Sequence, residues 1–118
     1  MTVSFYGSNI SPNDIQESLF KVEGLAKIVN SYFLDVEEDN DGDKKLRIYF
    51  ELMKNIDPNI DSEKVSDLFF EALAETNQDF RKSKEMIKDS SKTSLVFCKF
   101  NTNHFAENDI RIKARYIN

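Results

Sequence analysis

The chain carries one cysteine, one histidine, three glycines, two prolines and no tryptophan among its 118 residues. Each scarcity excludes something. A single cysteine, Cys98, has no partner for an intrachain disulfide, which fits a reducing compartment. A single imidazole, His104, makes neither a zinc site nor a catalytic triad by itself. Few Gly and Pro, with 31% charged residues, argue against disorder. No apolar run approaches the length of a membrane span, and no basic region leads into an apolar one at the N-terminus. A net charge of −5 gives no general basis for gripping nucleic acid or an anionic membrane. Nothing resembles a phosphate-cradling Gly-x-x-x-x-Gly-Lys loop, a dinucleotide fingerprint or a nucleophile elbow. The expectation is a cytoplasmic globular domain with no complete active site of its own.

What is present is core material. Forty per cent hydrophobic residues, including ten Phe and four Tyr, suffice for one core in 118 residues, and the length is too short for two. Val3 to Tyr6 alternates as a short first strand. A tight loop at Gly7 follows, then a helix from about Pro12 to Val22. Ser11 is its N-cap, Pro12 suits the first helical position, and Asp14 completes a box-like Ser-x-x-Asp. Ile10 and Ile15 are placed as a hydrophobic staple, with Ile15, Leu19 and Val22 as the buried stripe and Gly24 as terminator.

A second strand covers Ser31 to Glu37, with Tyr32, Leu34 and Val36 on one face and Phe33 and Asp35 on the other. The third strand alternates most clearly: Leu46, Ile48, Phe50 and Leu52 against Arg47, Tyr49 and Glu51. Asp61 or Ser62 caps a second main helix running to about Thr76, with Val65, Leu68, Phe69, Ala72 and Leu73 as its stripe. A shorter helix carries Phe80, Ser83, Met86 and Ile87. Leu95 to Phe100 reads as a buried fourth strand, and Ile110 to Ile117 as a last short one. The order strand-helix-strand-strand-helix-strand predicts an α+β, ferredoxin-like βαββαβ domain over residues 1–118. It would have an antiparallel sheet, both main helices on one face and a short C-terminal strand.

Two stretches invite a chemical reading. Between the second and third strands lies Glu38-Asp39-Asn40-Asp41-Gly42-Asp43. Aligning Gly42 with the sixth position of a calcium loop puts Glu37, Asp39 and Asp41 at the first, third and fifth, but leaves Ile48 where a bidentate Glu is required. A hairpin tip explains the same residues, and no metal is expected. Near the C-terminus, Ile110, Ile112, Ala114 and Tyr116 alternate with Arg111, Lys113 and Arg115. Three cations on one face of a terminal strand can receive a phosphate or carboxylate, or can guard a sheet edge against aggregation.

The opening string Phe5-Tyr6-Gly7-Ser8-Asn9-Ile10-Ser11-Pro12-Asn13-Asp14-Ile15 resembles the start of the small C-terminal domain of acyl-adenylate-forming enzymes. It is most similar to the branch of phenylacetate–coenzyme A ligases and auxin-conjugating acyl-acid amido synthetases. There a strand enters a Gly-x-Asn-Ile/Val-x-Pro-x-x-Ile loop and helix, matched here by Gly7, Asn9, Ile10, Pro12 and Ile15. The ending Lys113-Ala114-Arg115-Tyr116-Ile117 is similar to the family's Lys-x-Arg-Tyr-Ile segment, in the register that aligns the family lysine with Lys113 rather than Ile112. The resemblance extends through Asn77-Gln78-Asp79-Phe80-Arg81.

It implies a lid domain that rotates between two half-reactions. Lys113 would serve as the catalytic lysine of adenylation, while Gly7, Ser8, Asn9 and Ile10 would form the loop presented during acyl transfer. Arg111 and Arg115 would add to the binding field. It further implies ATP and magnesium in the complete enzyme, coenzyme A or another acceptor, a carboxylic acid substrate, and an adenylation large domain in cis or in trans. Neither that large domain nor the hinge expected before Val3 is in this sequence, so the chain should be inactive alone. A second reading is a stand-alone ferredoxin-like module that binds a small molecule or dimerises. Nucleic-acid binding through an outward Phe33 and Tyr49 is disfavoured by the acidic charge and the missing aromatic signature.

Overall fold

The first strand ends where a two-residue turn folds it back on itself. In the computed structural model, which describes residues 3–86, 92–102, 105 and 112–113, β1 (Val3–Phe5) pairs antiparallel with β2 (Ser8–Ile10), Phe5 opposite Ser8. Tyr6 and Gly7 between them both have positive φ, 48° and 82°. That is the signature of a type I′ turn, whose twist matches that of the flanking strands. The capping box is present as expected. Ser11 Oγ accepts the Asp14 N–H at 3.2 Å, Asp14 Oδ2 accepts the Ser11 N–H at 3.0 Å, and Pro12 opens α1 (Pro12–Lys21). Ile10, Ile15 and Leu19 are fully buried. A one-turn helix not anticipated from the sequence, α2 (Leu25–Ile28), follows Gly24, which sits at φ 81°.

The sheet is built around β3 (Val29–Glu38) and β4 (Lys44–Leu52), antiparallel, with Tyr32 opposite Phe50, Leu34 opposite Ile48 and Val36 opposite Leu46. The chain then passes through α3 (Ser62–Thr76) and α4 (Gln78–Met86) and returns as β5 (Thr93–Cys98), parallel to β4. β6 (Ile112–Lys113) pairs antiparallel with β3 on the other side, giving the order β5-β4-β3-β6.

The fold is therefore α+β, but the sheet is mixed rather than antiparallel. A split βαβ unit places another strand between its two parallel strands. Here β4 and β5 hydrogen-bond directly, because the residues expected to supply an intervening strand are used up in the β1–β2 hairpin.

One core cluster joins α1, α3 and α4 to the sheet, through Phe5, Leu34, Leu46, Ile48, Phe50, Phe69, Leu73 and Phe80. Leu68, expected among them, is 47% exposed. Phe69, Phe70, Leu73 and Ala74 define the inward stripe of α3, and Leu68 lies outside it, about 100° beyond Phe69 on the side away from Phe70. The opposite face of the sheet carries a smaller cluster. Phe33 stacks on Tyr49 with ring centres 4.5 Å apart and planes within 8°, Phe105 tilts against Phe33, and Cys98 is buried beside them. Phe33 therefore does face away from the main core, as its parity requires, yet it is buried.

The acidic segment is a hairpin tip. Gly42 N–H donates to the Asp39 carbonyl, Asp39 N–H to the Asp43 carbonyl, and the Asp39 carboxylate accepts the Asp41 and Asp43 amides, each at 2.9 Å. Gly42, at φ 82°, is the left-handed residue that closes a type I turn into a three-residue loop.

Candidate functional site

The resemblance singles out two places, the Gly7 turn and the tail, and the fold keeps them apart. At the turn, Gly7 and Asn9 are exposed, whereas Ser8 and Ile10 are fully buried. The Ser8 hydroxyl donates to the Phe5 carbonyl at 2.6 Å and Ile10 belongs to the core. Neither residue presents any surface to solvent. An added Cβ at Gly7 would meet nothing within 4 Å, so packing does not demand the glycine. The demand comes from the positive φ alone.

The turn is held from several sides. Asn77, at the joint between α3 and α4, donates through Nδ2 to the Asn9 carbonyl at 2.9 Å and to Asp14 Oδ2 at 3.0 Å, while its Oδ1 accepts the Phe80 N–H. Ser83 Oγ on α4 donates to the Tyr6 carbonyl at 2.9 Å. The Tyr6 phenol accepts the Lys44 N–H at 2.8 Å and Lys92 Nζ at 3.2 Å, and Lys92 in turn pairs with Asp43 at 3.2 Å.

The bond to Tyr6 and then that to Asp43 raise the Lys92 pKa above 10.5. A raised ammonium pKa contributes stability that is complete below the unfolded value and lost as pH rises through the folded one, so the ammonium's contribution is lost in strongly alkaline solution. None of Tyr6, Asn77, Ser83 and Lys92 was identifiable as an anchor of the turn from sequence, because the partners in these bonds lie 38 to 86 positions away.

At the tail, the backbone of Lys113 lies opposite Ser31 on the edge strand β6, and Ser31 lies opposite Glu51 on β4. Arg111 and Arg115 lie outside the described residues, as does His104. Glu51, whose parity puts it on the face opposite Leu46, Ile48 and Phe50, is fully buried. Its Oε1 accepts Asn30 Nδ2 at 2.7 Å and the Ser31 hydroxyl at 2.6 Å, and Oε2 accepts the Asn101 N–H at 2.8 Å. These three bonds tie the start of β3 and the end of β4 to the turn that follows β5.

Tyr6 is bonded to Lys44, at the tip end of the β3–β4 ladder, and Lys113 pairs with Ser31, toward the far end. From Ser31 to Glu38 along β3 is roughly 23 Å at the usual strand rise. The two candidate places thus occupy opposite ends of the sheet. Among the described residues no group of His, Cys, Asp and Glu is arranged to hold a metal ion, and no helix is long and apolar enough to cross a membrane. Comparison with protein-family models, curated proteins and solved structures found no match to this chain.

Proposed function

We propose that the chain is the lid domain of an ATP-dependent acyl-activating enzyme, inactive alone and completed by an adenylation large domain. The observation that carries the reading is the exposed, firmly anchored Gly7 turn at one end of the sheet, with the lysine-bearing strand toward the other. Two such places cannot address one reacting centre in a single pose. A lid that rotates between half-reactions presents them in turn, Lys113 for adenylate formation and the Gly7 turn for acyl transfer. The ferredoxin-like kinship belongs to this proposal as an order of elements, with the opening strand diverted into a hairpin. ATP and magnesium are assigned to the large domain. A carboxylic acid substrate and an acceptor such as coenzyme A are assigned there as well.

The test is ATP–pyrophosphate exchange over a broad panel of carboxylic acids. The chain alone should give none, and the chain joined to an adenylation large domain should give exchange dependent on one class of acid. Exchange by the purified chain alone, or none from the pair, overturns the proposal.

Gly7→Val should slow acyl transfer more than adenylate formation in the joined enzyme, since a branched side chain fills the open approach at a backbone φ of 82°. Gly7→Asn is the control, because Asn tolerates positive φ. Equal slowing of both steps by Val, with Asn behaving as wild type, identifies a folding defect instead.

A further inference from the structure

The first position of the I′ turn is an odd place for a tyrosine. Both central residues of that turn need positive φ, which Asn, Asp and Gly accept readily and a bulky aromatic side chain does not. Tyr6 adopts φ 48° nonetheless. Such a residue persists only where its surroundings over-determine it, and here they do.

The ring of Tyr6 meets Phe5 edge-on at 4.8 Å, and the Lys92 ammonium stands 5.6 Å from its centre. The phenol oxygen accepts the Lys44 N–H, a strand amide that β5 does not reach, since the β4–β5 ladder begins at Leu46 and Thr93. The same oxygen accepts Lys92 Nζ, which also bonds Asp43 of the hairpin tip. Behind the ring, Ser83 of α4 donates to the Tyr6 carbonyl. One side chain thus ties the turn to the start of β4, to the acidic tip and to the residue that leads into β5, while its backbone is tied to α4.

We propose that Tyr6 is a positioning residue. Its unfavourable backbone angle is retained because the phenol locks the Gly7 turn against the β3–β4 tip, fixing the direction in which Gly7 is presented. This rests on the lid reading for its purpose, and not for its geometry. The carboxylate of Asp43 and the ammonium of Lys92 are the charged groups in the lock, and Lys44 contributes its backbone amide.

The experiment uses the whole chain. Amide hydrogen exchange and nitrogen-15 relaxation are compared for wild type, Tyr6→Phe and Lys92→Met. Tyr6→Phe keeps the ring and removes the acceptor. Exchange at the Lys44 amide should quicken at least tenfold and the order parameter of Gly7 should fall, while amides of α3 and central β4 keep their protection. Lys92→Met should loosen Gly7 and leave the Lys44 bond in place. In the joined enzyme, Tyr6→Phe should slow acyl transfer several-fold and leave adenylate formation unchanged.

Uniform loss of protection in both variants, or an unchanged Gly7, overturns the inference. If the joined enzyme forms no adenylate even as wild type, the lid reading fails. The exchange and relaxation results then decide the lock independently.

Discussion

Phe50→Ala should lower the unfolding free energy by about 3–5 kcal/mol, the usual cost of deleting a fully buried phenyl ring. Phe50 has no exposed surface and lies at the centre of the main core. Its ring meets Phe69 edge-on at 5.3 Å, Phe97 at 5.8 Å and Tyr32 at 6.4 Å, so three neighbours from α3, β5 and β3 lose contact together. Rings held by two strands and a helix cannot all collapse into the space, and the residual cavity adds to the lost transfer energy. Urea unfolding measures it, with an unchanged slope showing that the denatured state is unaltered. Leu68→Ala is the internal contrast, since a half-exposed side chain should cost far less. If the two cost the same, the core is not organised around β4 as described.

Lys113→Ala should slow adenylate formation in the joined enzyme by about 10²–10³-fold, or about 2.7–4 kcal/mol, by analogy with the loss of one preorganised oxyanion donor. An ammonium helps only while negative charge is redistributed beside it, so acyl transfer should be nearly unaffected. Arg111→Ala and Arg115→Ala should have smaller effects, as contributors to the local field. Single-turnover kinetics of each half-reaction, with unfolding measured in parallel, separates chemistry from stability. The placement of β6 at the edge of the sheet makes the alternative concrete. Charges on an edge strand discourage pairing with another chain. If Lys113→Ala leaves adenylation untouched, edge protection is the role that remains for these cations.

Much of the local structure was legible in the sequence, because the forces that produce it act over a few residues. The capping box at Ser11 and Asp14, the alternation of Leu46 to Leu52, the stripe of α1 and the burial of Cys98 each follow from spacing and side-chain chemistry alone. The alternation of β3 was equally plain, but its consequence was not. Parity says that Phe33 and Glu51 leave the main core, and only the packing of Phe105, Asn30, Ser31 and Asn101 decides that both are nevertheless buried.

The topology was decided one level higher. Val3 to Phe5 has the pattern of any short strand, and a partner five residues away competes with one in the sheet. The Tyr6–Gly7 turn settled that competition, because a two-residue loop costs less entropy to close than a crossover. With β1 committed to the hairpin, β5 pairs directly with β4 and the sheet becomes mixed. The same event placed Tyr6 beside Lys44 and Lys92 at one end of the sheet, away from Lys113. The sequence by itself determined most of the strands and helices, though not β2 or α2, and which residue types stand at the turn and in the tail. Their neighbours, and the distance between the two candidate places, came from long-range pairing, where many registers satisfy the same local pattern and only the assembled core selects one.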